Sequence, residues 1–414
     1  MVKILHFADA HINMANYGRQ DAETGLPMRV VDFLKSLDTI IDAAIDQKVD
    51  LVIFAGDAYK DRNPAPTYQR EWGKRIMRLS NAQIPTILLV GNHDLSPSLN
   101  RAHALDAFST LEIPNVIVAD KPAFYGPTDL WDLPLQLISL PWIARSGMVA
   151  QLELSLSEPE KLYQQLDDKL GEIIDEWLDK ADGDLPTILT AHASVQGAVY
   201  GGERTITLGN DLVLSGKLVK DPRLDYVALG HIHKYQDLNE GNHPPVIYPG
   251  SIERVDWGEA REEKYYVIAE VGKGSSTYQR HAIPGIRRFV DRSIKLESDE
   301  NISEQLRSVM PDPDEMRDAI VRLSVEYPRD WESLIDESML HQLTGEAFEF
   351  HLVKRPQIKT RSLLGDGIVA SSMTPGELLN IFWQSEKTEE SVDPETLLNL
   401  ASQIIQKVES GEKD

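Results

Sequence analysis

Five short stretches of this 414-residue chain end in residues that bind metal or move protons. FADAH supplies Asp9 and His11, FAGDAY supplies Asp57, and LVGNHD supplies Asn92, His93 and Asp94. TILTAH ends at His192, and VALGHIHKYQ carries His231 and His233 one residue apart. In an extended segment alternate side chains share a face, so the last pair is expected to aim jointly at one place. Each motif alone has an ordinary reading: a Gly-Asp after a strand is commonly a turn, and a lone histidine is more often a hydrogen-bonded core residue than a ligand. Together and in this order they make a converging set of carboxylates, one amide oxygen and imidazoles. That donor chemistry suits two divalent first-row cations, with Asp57 well suited to bridge them.

The elements that must carry these residues are legible in the apolar pattern. VKILHFA, VDLVIFAG, TILLVGN, TILTAH, YVALGH and VIYPGS read as buried strands. Met28 to Gln47 has helical spacing through Val30, Phe33, Leu34, Leu37, Ile41 and Ile45, and a second helix is expected over about 67–82. Alternating strands and helices imply an α/β layered fold, whose ligands bind beyond the strand C-termini. Glycines 56, 91 and 230 allow the sharp exits this requires. The composition shifts near Pro284, so residues 1–285 are expected to form the first domain. The segments from RRFVDRSIKL to AFEFHLVKRP read as strand–helix–strand–helix–strand, a small α/β unit over 286–370. PGELLNIFWQ and PETLLNLASQIIQKV then look like two amphipathic helices within 374–410, with Pro375 and Pro394 in first-turn positions.

Composition narrows the function classes. The chain has no cysteine, so disulfides and thiolate ligands are excluded and any metal must take nitrogen and oxygen donors. No apolar run approaches the ~18–20 residues that span a bilayer. VKILHFADAH is interrupted too early by Asp9 to act as a signal segment, so a cytoplasmic address without membrane attachment is expected. The formal net charge of −24 runs against a nucleic-acid partner, which usually meets a basic surface. KDRNPAPTYQREWGKRIMR (60–78) is the locally basic exception, and the glycine-rich QGAVYGGERT (196–205) is a candidate substrate loop.

The ordered set DxH, GD, GNHD, H and GHxH resembles the calcineurin-like metallophosphoesterases. LGHIHKYQ, YPGSIERVDWGEAREEKYYV and the R-x-x-D of MRVVDF are similar to the SbcD-type DNA nucleases, over about residues 1–270 closely and more loosely beyond. The resemblance implies a layered β-sandwich flanked by helices, with a capping domain and C-terminal helices. It implies one metal on Asp9, His11, Asp57 and His233, and another on Asp57, Asn92, His192 and His231. The metals would be manganese by preference, with His93 beside the scissile phosphate as proton donor. It further implies exonuclease action on duplex ends and endonuclease action on single strands or hairpins. The partners would be DNA, an SbcC-like ATPase docked on the C-terminal helices, and a second copy of the chain. A small-substrate phosphodiesterase and a silent scaffold for the ATPase are the competing readings.

For the homodimer, helices 67–82 and about 99–112 are the expected interface, with Leu105, Phe108 and Leu111 as its stripe. One departure from the pattern stands out. The third residue after the bridging aspartate is Lys60, where SbcD-type nucleases place a histidine that supports the catalytic one. A lysine cannot accept a hydrogen bond. Either Asp61 or Asp94 orients His93 in its place, or Lys60, together with Arg62, contacts substrate phosphate directly.

Overall fold

The computed structural model describes residues 1–95, 101–143, 159–201 and 213–357, with short pieces between 374 and 404. The glycine-rich loop beyond Gly201 and most of the two C-terminal helices lie outside the described residues.

The strands of the first half are β1 (Val2–Phe7), β2 (Leu51–Phe54), β3 (Thr86–Leu89), β4 (Val116–Ala119), β5 (Ala123–Tyr125) and β6 (Gln136–Leu140). They are followed by β7 (Thr187–His192), β8 (Ser194–Val195), β9 (Val213–Leu214), β10 (Tyr226–Gly230), β11 (Gln236–Asp237) and β12 (Val246–Tyr248). β13 (Tyr265–Val271), β14 (Thr277–Ala282), β15 (Phe289–Lys295), β16 (Ile320–Pro328) and β17 (Glu349–Gln357) complete the set. Two six-stranded sheets result, ordered β14-β13-β1-β2-β3-β4 and β11-β12-β10-β7-β6-β5. Their centres are parallel: β1 pairs with β2, β2 with β3, β6 with β7, and β7 with β10. Antiparallel strands close both edges of the second sheet and one edge of the first.

Alternation along each strand explains why the sheets stack. In β1, Val2 and Ile4 join Leu137, Ile188, Tyr226 and Ala228 of the other sheet in one buried layer. Leu5 and Phe7 point the opposite way, into a core shared with α1 (Met28–Asp46) and α2 (Pro66–Asn81). The outer face of the second sheet packs Leu189, Val227 and Leu229 against Leu170 and Ile174, from a helix at Pro159–Lys180. Strands buried on both faces read as continuous apolar runs, which is why VKILHF and YVALG lack a polar alternation. The fold is therefore the helix-flanked layered sandwich expected from the sequence.

The chain divides into two compact units. The larger holds Met1–Ile294, Glu304–Ser324 and Asp336–Val353, and includes both six-stranded sheets. The smaller holds Lys295–Ser303, Val325–Ile335 and Lys354 onward. The five elements expected after Pro284 all form, and their strands make a three-stranded sheet in the order β15-β16-β17.

The helix expected over 99–112 is shorter in the structure, Asp106–Thr110. The chain before it is held back over the core, where Ala104 N–H donates to Asp94 O at 2.9 Å and Leu105 is fully buried. Phe108 packs against the same core, and Leu111 is 70% exposed. Two of the three stripe residues thus serve the chain's own interior.

Candidate metal centre

All five motif-bearing strands deliver their residues to one end of the sandwich. Four of the candidate ligands leave the strand with positive φ: Asp9 at 51°, His11 at 39°, Asp57 at 63° and His231 at 96°. Such conformations are uncommon for residues with a Cβ and cost of order 1–3 kcal/mol each, so the surroundings must enforce them. The enforcement is visible. Asp9 N–H donates to Gly56 O (2.9 Å), Ala10 N–H to Asp57 O (2.8 Å) and Ile12 N–H to Ala58 O (3.1 Å), lacing the first loop to the second. Asp94, fully buried, accepts the backbone N–H groups of Asp57, Ala58 and Gly91, each at 3.0 Å, and so ties the second loop to the third. Both oxygens of Asp9 accept the His231 N–H at 3.1 Å, which joins the two sheets. Gly91 and Gly230 are required by proximity: a Cβ at the first would strike the Asp57 carboxylate, and at the second the Ala55 carbonyl.

The histidines are oriented through their outer nitrogens. Nδ1 of His11 faces Tyr59 O at 3.3 Å, Nδ1 of His192 faces Ala55 O at 2.7 Å, and Nδ1 of His233 faces Glu259 Oε1 at 2.7 Å. A carbonyl or carboxylate only accepts, so each Nδ1 carries a hydrogen, and in the neutral ring each Nε2 has a lone pair that a metal ion can take. Each Nε2 points at another ligand atom of the site. His11 Nε2 and His233 Nε2 lie 3.1 Å apart. His192 Nε2 lies 2.9 Å from Asn92 Oδ1 and 3.4 Å from Asp57 Oδ2. Ligand atoms crowded this closely in a buried site need a cation between them, either a metal ion or, as at His192, a proton. The donor set therefore fits divalent metals on its own geometry.

Two sets of donors emerge. Donor atoms of Asp9, His11 and His233 lie within 4.8 Å of one another, as do those of Asp9, Asp57 and His192. Asn92 Oδ1 also lies 3.2 Å from His231 Nδ1, bringing that imidazole to the second set. Asp57 spends Oδ1 on the His93 N–H (2.8 Å) and presents Oδ2 to both sets, 3.9 Å from His11 Nε2 and 3.4 Å from His192 Nε2. His231 and His233 turn to different neighbours, as an assignment of one to each donor set requires. The positive φ at His231 ends the extended run, so its ring meets Asn92 while His233 meets His11.

The electrostatics follow from burial with compensation. Burial disfavours the Asp57 carboxylate, but His192, His93 and His11 around it overcome this and hold its pKa well below the usual range. His192 is pushed the other way: burial lowers it, and the Asp57 charge more than reverses this. Burial lowers His11 well below its ordinary value. Burial and the neighbouring Asp57 charge raise Asp94.

His93 and its neighbourhood depart from the first alternative the sequence offered, orientation by Asp61 or Asp94. His93 Nδ1 is hydrogen-bonded to the backbone carbonyl of Lys60. Asp94 is occupied by the three amides above, and Asp61 accepts from Asn13 Nδ2 at 2.8 Å. Among the described residues no carboxylate accepts from the His93 ring; position 60 supports it through its main chain. Lys60 and Arg62 project as exposed side chains with no carboxylate partner among the described residues. The rest of the basic segment is neutralised: Lys74 and Arg75 pair with Glu71, and Arg75 and Arg78 with Asp38.

Two residues beside the site were not assigned a role from sequence. Glu259 bonds His233 and is also paired with Lys264 at 2.6 Å, both fully buried. Nothing in the periodicity of WGEAREEK marks it. Trp142 follows β6, and its ring packs at 5.0 Å on His231 and 6.2 Å on His192. Its place just past a strand end is the signal that could have found it.

Comparison with known proteins places these features. The profile of the calcineurin-like phosphoesterase family matches residues 2–235. The DNA double-strand break repair protein Mre11 of Methanosarcina acetivorans is 26% identical over 327 residues, covering 78% of this chain and 45% of that protein. The SbcD component of nuclease SbcCD from Escherichia coli K12 is 26% identical over 292 residues, covering 66% of each. The metallophosphoesterase YhaO of Bacillus subtilis is 25% identical over 276 residues, covering 66% of this chain and 59% of YhaO. The chain spans about half the length of the archaeal relatives it matches.

Proposed function

This chain belongs to the calcineurin-like phosphoesterase family, and from that premise we propose that it is a metal-dependent DNA nuclease working with an SbcC-like ATPase in break repair. The observation that carries the hydrolytic part is the convergence of buried ligand atoms: His11 Nε2 on His233 Nε2, and His192 Nε2 on the Asn92 and Asp57 oxygens. One metal ion is assigned to Asp9, His11, Asp57 and His233, and the other to Asp57, Asn92, His192 and His231, with manganese as the preferred ion. When bound, the pair supplies an activated water and a clamp for the phosphate oxygens.

The chain's own groups do the rest. With Nδ1–H committed to the Lys60 carbonyl, the other ring nitrogen of His93 carries the transferable proton. Hydrolysis of a phosphodiester breaks one P–O bond and leaves an alkoxide that must be protonated. His93 gives that proton, an assistance worth about 10²–10⁴-fold. Lys60 and Arg62, exposed and lacking carboxylate partners among the described residues, are proposed as phosphate contacts.

The DNA substrate is supported by the relatives' names, a DNA double-strand break repair protein and a subunit of nuclease SbcCD, whereas the exonuclease and endonuclease modes and the ATPase partner are what the motif resemblance implies. We assign 1–285 to the nuclease domain, 286–370 to a cap and 374–410 to ATPase docking, and infer a homodimer through α2 and the segment after residue 99. One observation favours a small-substrate phosphodiesterase instead: Glu71, Asp38 and Asp42 neutralise the basic face of α2. Labelled hairpin DNA and a chromogenic phosphodiester, each with manganese and with chelator, separate the two. Cleavage of the chromogenic ester alone rules out the nuclease.

A further inference from the structure

The centre has two flanks, and only one has been given a task. On the first, His93 packs edge-on against His11, ring centroids 5.2 Å apart at 87°. On the second, the indole of Trp142 lies tilted at 42° on His231, 5.0 Å away, and at 73° to His192, 6.2 Å away. The two rings therefore stand over opposite donor sets, His93 over the set of His11 and His233, Trp142 over the set of His192 and His231. Their separation is fixed by the backbone. Trp142 N–H donates to Val90 O at 2.8 Å, and Val90 is followed directly by Gly91, Asn92 and His93. The indole is only part-buried, an unusual place for the largest apolar side chain beside a cluster of imidazoles and carboxylates.

We propose that Trp142 is a substrate-binding residue, the stacking platform for the nucleoside that stays on the phosphate while the leaving oxygen faces His93. This rests on the nuclease reading and adds to it which end of the scissile bond is held, and by what. A phosphodiester seated over both donor sets carries two ester oxygens. The one protonated by His93 leaves from the first flank, so the retained nucleoside lies over the second. An indole recognises any base by its π-face, which gives affinity without sequence preference.

Stacking on an aromatic side chain is worth about 5- to 150-fold in affinity per base. The test compares thymidine 5′-(4-nitrophenyl phosphate) with methyl 4-nitrophenyl phosphate, which share a leaving group and differ in the retained side. Trp142→Ala is expected to raise KM for the thymidine ester within that range, with kcat changed less than about threefold. It should raise KM for the methyl ester far less than for the thymidine ester, and Trp142→Phe should restore most of the loss. A second readout is independent of turnover. With calcium in place of manganese, fluorescence anisotropy should show wild type preferring a single strand over an abasic strand of equal length, and Trp142→Ala losing that preference. Equal losses on both esters, or reduced metal content in Trp142→Ala, would overturn the proposal in favour of a ring that merely shields His231. A wild type active on both esters but inert toward DNA would instead overturn the nuclease reading, whatever Trp142 does.

Discussion

His93 is held by the main chain of Lys60: its Nδ1 bonds the Lys60 carbonyl, while the lysine side chain stands exposed. The two functions of position 60 are thereby separable. Lys60→Ala keeps the carbonyl, so hydrolysis of a small phosphodiester should change less than about threefold. DNA affinity should fall, and the slope of log affinity against log salt should flatten by about one counterion. Affinity measured at several salt concentrations checks this; a crippled small-substrate reaction with intact DNA affinity would assign the side chain to catalysis.

Asp57 and His93 should fail differently. Asp57→Ala removes the oxygen that faces both donor sets, and is expected to lose bound metal and all hydrolysis. His93→Ala leaves every donor in place, so metal content should persist while turnover falls about 10²–10⁴-fold. Elemental analysis alongside single-turnover rates distinguishes the two.

Glu259 fixes the His233 ring and its tautomer through Nδ1. Loss of such a support typically weakens metal binding 10- to 100-fold. Glu259→Gln should therefore weaken one of two metal equivalents by that amount and spare the other, read by titration calorimetry. Weakening of both alike would mean that the two donor sets do not bind separately.

His6 gives a pH signature away from the metals. Its ring is buried between the sheets, at 3.1 Å from both Tyr226 Oη and Leu229 O, and burial lowers its pKa to about 3. An unfolded histidine takes its proton near 6.5. The folded state thus binds fewer protons between these values, so its contribution is fully present above about pH 6.5 and is lost as pH falls toward 3. Denaturant unfolding should show His6→Gln losing less stability than wild type between pH 6.5 and 5, by up to about 1.4 kcal/mol per pH unit. Parallel slopes would mean that the imidazole ionises freely in the fold.

The C-terminal segment is expected to recruit the ATPase through its apolar residues, among them Leu378, Leu379, Phe382, Trp383, Leu397, Leu398 and Ile405. Leu400 and Ile404 are each 55% exposed, more apolar surface than a solvated tail needs. Truncation after Ser372 should abolish co-purification with the ATPase while leaving cleavage of simple substrates. Retained complex formation would move the docking site elsewhere.

The strands and the metal donors were legible because both depend on local patterns. YVALG is apolar on both faces and VKILHF nearly so, with Lys3 and His6 as its exceptions, and polar residues collect where both stop. What was not legible depends on contacts between distant segments. The support of His93 comes from a backbone carbonyl, which no side-chain pattern encodes. Glu259 lies in a charged stretch that reads as surface until Lys264 and His233 close around it. The basic run of α2 looked like a phosphate-binding face because its acidic partners, Asp38 and Asp42, sit on α1. The outward divergence of His231 and His233 required a positive φ that alternation cannot anticipate.

The hydrogen bonds from His231 N–H to Asp9 join residues 222 positions apart and belong to different sheets. Neither sheet alone holds a complete donor set: the first brings Asp9, His11, Asp57 and Asn92, the second His192, His231 and His233. Such distant pairings are among the slowest to form during folding. A half-folded chain, with one sheet assembled and the other still open, would carry only part of either metal site. A metal-dependent phosphoesterase built this way gains its complete donor sets, and with them its capacity for hydrolysis, only once its second sheet has docked.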